Sequence, residues 1–340
     1  MRQTSEAKMK LNNTAGRQTG RTKLTVYIVV LAILAITPAF MSSYLQIIMT
    51  KFVIMALFAV GYDLIFGYLG LLSLGHAAFF GMGGYVVGVM ALHYGSSNFW
   101  LALIIGIVLA VITAALFGLI SLRFKGVYFL LITFALGQLL YAVAWNVGWL
   151  NTPGMQGIAG ITWPDLGFFI EWTQQNFYYL VLIVFVIGYF ILSKIVNSPY
   201  GHVLVGIREG EPRMKALGYN TYAYKYTAYL ISGGFAGVAG VLFAFSNNMI
   251  TPAHFALDYS FLPMAMAIIG SRGTLYGPVV GAGILVFAEY FISQVVPERW
   301  PLFLGIIFIC SIMFLRKGVT TSIIDAIKKR SQKRKQVDSI

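Results

Sequence analysis

The stretch NFWLALIIGIVLAVITAALFGLISL, Asn98–Leu122, runs its whole length without an ionisable side chain. About 20 apolar residues in a helix cross the roughly 30 Å hydrocarbon core of a bilayer, so this stretch predicts a transmembrane helix. Comparable runs occupy about 24–43, 47–68, 71–94, 127–149, 177–196, 223–247, 258–270, 278–296 and 300–315. Together they predict an all-α polytopic membrane protein with about ten, at least eight, transmembrane helices. Composition agrees: of 340 residues 59% are hydrophobic and 10% charged, against roughly 25% charged in a soluble domain. The spans consume the chain and leave no room for a sizeable soluble domain.

The formal net charge of +13 does not describe a nucleic-acid binder, because the cations sit at the ends and in two loops. Arg2, Lys8, Lys10, Arg17, Arg21 and Lys23 precede the first run, and Arg316, Lys317, Lys328, Lys329, Arg330, Lys333, Arg334 and Lys335 follow the last. Basic flanks mark the cytoplasmic side and meet anionic lipid there. An inside N-terminus also puts Arg123 and Lys125 inside, the loop 150–176 with Asp165 and Glu171 outside, and Lys194 to Lys225 inside. Both termini are then cytoplasmic. The organisation expected is a basic segment 1–23, a transmembrane domain 24–315 with a cytoplasmic loop 197–222, and a basic tail 316–340. Run 24–43 exceeds the 7–15 apolar residues of a signal peptide and reads as a retained span. Lys51 and Arg299 break the charge rule, but near span ends their heads can snorkel.

Run 258–270 is too short to cross as a straight helix. Either it extends upstream through Ala256 and Leu257, or it is a half-helix packed within protein before the break Gly270-Ser-Arg-Gly-Thr-Leu-Tyr-Gly277-Pro278. Small residues four apart let membrane helices approach closely, so Ser232, Gly233, Ala236, Gly237 and Gly240 predict a packed interface. The cluster Gly67-Tyr-Leu-Gly70-Leu-Leu-Ser73-Leu-Gly75-His76-Ala-Ala-Phe-Phe-Gly81 predicts irregular backbone beside a pathway, since such backbone survives at membrane depth only within protein or a wet cavity.

Asp63, His76 and Glu289 fall inside spans, where an uncompensated charge costs about 2.5–3.5 kcal/mol on insertion scales. Asp63 and His76 lie at similar depth near the inner face. They either satisfy each other or nearby backbone to fix packing, or take part with Ser73 in solute passage or gating. Glu289 leans further toward packing.

No catalytic chemistry is legible. The chain lacks G-x-x-x-x-G-K-[ST], His-Glu-x-x-His and Gly-x-Ser-x-Gly, and its four histidines and single Cys310 sit in separate segments, so neither nucleotide hydrolysis, a metal site nor a serine nucleophile is expected. A proton-coupled carrier using Asp63, His76 or Glu289 is the alternative to an ATP-powered subunit.

The longest polar segment assigned to the inner side contains Arg208-Glu-Gly-Glu211-Pro-Arg-Met-Lys215-Ala-Leu-Gly218. Pro212 suits a first helical position, Glu211 the positive dipole end, Lys215 the negative end and Gly218 a left-handed stop. A two-turn helix between spans suits docking to a cytoplasmic partner.

Three segments in order, Gly67–Gly81, the Arg208–Gly218 loop and Gly270–Pro278, resemble the LivM-type permease of branched-chain amino-acid ABC importers, over about residues 45–316. The resemblance implies a type II ABC importer permease fold in a bacterial inner membrane. The implied partners are a LivH-type permease, two cytoplasmic ATPases that hold the ATP and magnesium, and an extracytoplasmic solute-binding protein. Arg208, Glu209, Glu211, Ala216 and Gly218 match the family's coupling loop and become candidate ATPase contacts, with Gly233, Gly237 and Gly240 as packing that transmits the motion. Segment 151–160 is closer to the amino-acid branch than to relatives serving urea or short amides.

Overall fold

The computed structural model describes residues 34–95, 98–146, 156–166, 172–296, 299–314, 318–322 and 325. The basic segment 1–23, most of the first apolar run, residues 151–155 of the outer loop and most of the basic tail lie outside that set. Among the described residues the helices are α1 (Ser43–Asp63), continued by a π-helical turn Leu64–Tyr68, α2 (His76–Tyr94), α3 (Phe99–Ser121), α4 (Val127–Asn146), α5 (Gln174–Val196), α6 (Pro199–Ala216), α7 (Thr221–Asn247), α8 (Leu257–Gly270), α9 (Tyr276–Val295) and α10 (Trp300–Phe314). Seven of these are long and apolar enough to cross a membrane: α1 with its π turn, α2, α3, α4, α5, α7 and α9. The chain is a multi-pass membrane protein.

Local chemistry sets the helix starts. The side chains of Asn98, Thr173 and Asn220 accept the amides of Leu101, Asn176 and Ala223 at 3.1, 3.2 and 3.2 Å, each satisfying a first-turn donor. Burial then sorts the helices. From Phe52 to Gly67 α1 is buried on every side, and α7 is nearly so from Ala236 to Phe245, as expected of helices apolar all round. Helix α3 buries small residues, Ala102, Gly106, Ala110 and Ala114, and turns Ile104, Val108, Ile112 and Leu116 outward. That is the membrane arrangement: lipid takes the large side chains and helix contacts take the small ones.

The expected small-residue interface on α7 is present. A Cβ at Gly240 would collide with the Phe80 carbonyl oxygen of α2, and one at Gly237 or Gly233 would press on Ala110 or Ala114 of α3 at 2.5 Å. From the other side, Gly83 of α2 abuts the Gly237 carbonyl. Helix α7 is thus wedged between α2 and α3.

The connections fall into two groups. At one end β1 (Ile158–Ala159) pairs antiparallel with β2 (Met249–Ile250), and the Phe99 amide meets the Asp165 carbonyl at 2.8 Å. At the other end the turns after α1, α3, α6 and α8 gather. Loops that the charge rule assigns to one side are together in space.

Two expectations about the runs change, and one open reading is settled. Run 24–43 does not continue as helix to its end: Thr37–Phe40 is a 3-10 turn holding Pro38, and a new helix starts at Ser43. Run 71–94 is helical only from His76, because Gly70 adopts φ +80° and opens an irregular stretch. The short run is a half-helix. Ala256 is extended (φ −67°, ψ 164°) and follows a 3-10 turn Pro252–Phe255, which stops α8 from extending upstream beyond Leu257.

Candidate functional site

Where the turns after α1, α6 and α8 gather, three distant segments meet. Asp63, 1% exposed, ends α1, and its two carboxylate oxygens each accept the Gly273 amide at 3.0 Å. The turn can approach this closely because residue 67 is glycine: a Cβ there would collide with both the Gly273 amide and the Asp63 carboxylate. Arg208 of α6 donates from Nη1 to the Gly67 carbonyl, and its aliphatic stem lies against Gly70. Gly70 at φ +80° and Gly273 at φ +73° supply left-handed backbone that other residues adopt only with strain. One carbonyl and one carboxylate of the α1 end thus hold α6 and the α8–α9 turn at once. The π turn makes this geometry, a local widening that recurs at functional sites.

Residues beyond α10 add a fourth component. Thr320 donates to the Gly270 carbonyl, and Ser271 Oγ lies 2.7 Å from Thr321 Oγ1, fastening residues 320 and 321 to the same break. The Arg272 guanidinium lies 5.6 Å from the centre of the Phe66 ring, within cation–π range.

The pairing of Asp63 with His76, one of the readings open at the sequence level, does not occur. His76 is fully buried, with Nδ1 3.1 Å from Ser73 Oγ and Nε2 2.9 Å from Ser232 Oγ. Ser232 donates onward to the Gly61 carbonyl at 2.8 Å, and Tyr62 Oη donates to the Ser73 carbonyl at 3.0 Å. Similar depth did not mean the same face: Asp63 looks toward the α8–α9 turn and His76 toward α7. Ser73 and His76 therefore pin the irregular loop to α1 and α7.

Helix α6 is kinked at Gly210, whose φ of −177° and ψ of 85° leave the helical region. After the kink the chain forms the short helix expected from Pro212. It ends on a Schellman cap: Gly218 adopts φ +87°, its amide meets the Lys215 carbonyl at 3.0 Å, and the Tyr219 amide meets the Met214 carbonyl at 3.1 Å.

Glu211, expected as an ATPase contact, is engaged within the chain. Its carboxylate points inward to Lys225 Nζ at 2.7 Å, with Lys215 at 3.3 Å, Lys125 at 3.6 Å and the Thr221 hydroxyl at 3.1 Å. Partial burial alone would raise its pKa; the Lys225 hydrogen bond and charge, with Thr221 and Lys215, outweigh that and bring it down to about 2. Glu211 fastens the tip of α6 to the start of α7. Arg208, Glu209, Ala216 and Gly218 do reach the surface. Leu217, absent from the sequence-derived candidates, is 67% exposed at the tip; its signal was a large apolar residue next to the Gly218 stop of a polar loop.

Glu289 lies apart from this junction. It accepts from Lys51 Nζ at 2.7 Å, so Lys51 pairs across helices α1 and α9 instead of snorkelling alone, and the pair compensates both charges.

Residues 44–312 match the family of the branched-chain amino acid transport system / permease component. The chain is 28% identical over 292 residues to the high-affinity branched-chain amino acid transport system permease protein LivM of Escherichia coli (strain K12), covering 78% of this chain and 68% of that protein. It is 28% identical over 197 residues to the probable branched-chain amino acid transport permease protein LivM of Methanocaldococcus jannaschii, covering 57% and 56%. It is 24% identical over 194 residues to the nucleoside ABC transporter permease protein NupC of Lactococcus lactis subsp. cremoris, covering 52% and 58%. No solved structure matches the chain. The chain belongs to the branched-chain amino acid permease-component family.

Proposed function

We propose that this chain, as a member of that family, is one half of the translocation pathway of an ATP-driven importer of branched-chain amino acids in the bacterial cytoplasmic (inner) membrane. Its partners are a LivH-type permease, two cytoplasmic ATPases carrying ATP and magnesium, and an extracytoplasmic solute-binding protein. About ten crossings with both termini inside place the α6 tip toward the ATPases.

The observation that carries this reading is the junction itself. An ATPase that pulled on the exposed tip, through Arg208, Glu209, Ala216, Leu217 and Gly218, would move Arg208 against Gly67 and so act on α1, the loop before α2 and the α8–α9 break together. Asp63 holds the break to α1, while Ser73 and His76 hold the loop to α1 and α7. These buried groups suit gating better than lining a wet path. Close packing at Gly233, Gly237 and Gly240 suits rigid transmission, because packed interfaces switch between arrangements and do not stretch.

The test is uptake by proteoliposomes holding this chain with its ATPases and second permease, given candidate binding proteins and labelled leucine, isoleucine, valine, urea and uridine. ATP-dependent accumulation of the first three is expected. Accumulation of urea or uridine alone would refute the substrate class. Accumulation by this chain alone under a pH gradient would make it a secondary carrier.

A further inference from the structure

At the same end of the bundle a cleft of about 390 Å³ opens between the α3–α4 turn, the α6 tip and the start of α7. Arg123, Lys125, Lys215 and Lys225 line it together with a single carboxylate, Glu211. Glu211 stays ionised at neutral pH because its pKa lies at about 2, yet it cancels only one of four cations. Its short contact is with Lys225, whose side chain is 7% exposed. Lys125 and Lys215 sit farther off, at 3.6 and 3.3 Å, with side chains 69% and 56% exposed. They can turn toward another anion without unmaking the buried pair.

The surroundings indicate which anion. The last turns of α3 and the α3–α4 turn carry the outward-facing apolar residues Leu116, Leu119, Ile120 and Phe124, next in sequence to the cleft residues Arg123 and Lys125, and a face of large apolar side chains is one that suits lipid. A surplus of cations at the end of a lipid-facing strip matches a molecule with a phosphate at one end and hydrocarbon at the other. Basic pockets at the ends of membrane helices hold anionic headgroups in this way.

We propose that the cleft is a phosphate site occupied by the headgroup of an anionic phospholipid, held by Lys125 from the α3–α4 turn and Lys215 from α6. A headgroup there bridges a fixed turn of the bundle to the α6 tip and restrains its movement.

The test is thermal unfolding of the full chain in neutral detergent with added dioleoylphosphatidylglycerol, dioleoylphosphatidylcholine or inorganic phosphate. A ligand that binds the folded state raises Tm saturably. The expected result is a rise with phosphatidylglycerol only. At least half of it should be lost in Lys125→Gln/Lys215→Gln, which leaves the Glu211–Lys225 pair in place, and kept in Lys125→Arg/Lys215→Arg. Equal shifts from the two lipids, or an undiminished shift in the Gln variant, overturn the proposal. A shift with inorganic phosphate equal to that with phosphatidylglycerol makes this a free-anion site and overturns the lipid assignment. No lipid shift, with loss of ATPase co-purification in the Gln variant, assigns the cleft to an acidic partner surface instead. If the Gln variant is too unstable to melt cleanly, retention of phosphatidylglycerol in native mass spectrometry, compared with the Arg variant, decides the same question.

Discussion

Asp63 and Gly273, 210 residues apart in sequence, are joined by both oxygens of one carboxylate at 3.0 Å. The amide of a broken helix is satisfied by the end of an unbroken one. Asp63→Asn keeps an acceptor for that amide, so assembly and yield should stay near wild type while ATP-dependent uptake falls. Asp63→Ala leaves the amide unpaired and should cost about 1–3 kcal/mol of stability. Paired melting and uptake measurements check this; an Asn variant with full uptake would remove Asp63 from gating.

Glu211 gives a pH dependence with a definite sign. Its pKa lies below the usual carboxylate value, at about 2 against 4.5, so its contribution is complete above pH about 4.5 and is lost as pH falls toward 2. Hydrogen-exchange protection at Arg213–Gly218, taken relative to the intrinsic rate at each pH, should fall through that window. In Glu211→Gln protection should be lower already at pH 7 and change less below it.

Leu217 makes no demand on the fold at 67% exposure. Leu217→Asp should leave the melting temperature within the change expected of a surface substitution, about 0.5 kcal/mol. Co-purification of the ATPases should drop, because a charge replaces the apolar point of the tip. Undiminished co-purification would place the docking surface elsewhere on α6.

The wedge of α7 has no slack at Gly240, where a Cβ meets the Phe80 carbonyl oxygen. Gly240→Val should lower folded yield severely, beyond the roughly 1–3 kcal/mol typical of overpacking. Gly234→Ala is the control, since its nearest neighbour would be Val111 Cγ2 at 3.3 Å, and it should be tolerated. Size-exclusion profiles of the two variants make the comparison.

Lys51 and Glu289, 2.7 Å apart, should behave as a unit. Lys51→Met alone strands a carboxylate and Glu289→Leu alone strands an ammonium, whereas the double variant strands neither. Each single change should therefore destabilise more than the two together. A double-mutant cycle in melting temperature gives the coupling directly.

Much of this was legible in the residues. Apolar runs located the spans because lipid selects on hydropathy over about 20 residues, and Pro212 with Gly218 located the tip helix because cap chemistry is local. The three segments that converge were visible as glycine-rich or charged interruptions. Their convergence was not: hydropathy fixes depth along a helix but not which way a side chain faces. Asp63 and His76, matched in depth, consequently take different partners. The partner of Glu211 was illegible for a related reason. Its spacing to Lys215 is a local fact, but the dominant Lys225 arrives from the next helix through the turn that Gly218 makes. The stretch Leu69–Gly75 is as oily as a span, so only its glycines betray that it is not helical.

Thr320 and Thr321 engage Gly270 and Ser271, so a stretch beyond α10 acts as a clasp on the α8–α9 break. Anyone tagging or trimming this protein should keep residues 318–322 intact. A fusion grafted directly after α10 would unbutton that break while leaving the crossings in place, and should yield material that looks well behaved on a column yet no longer works.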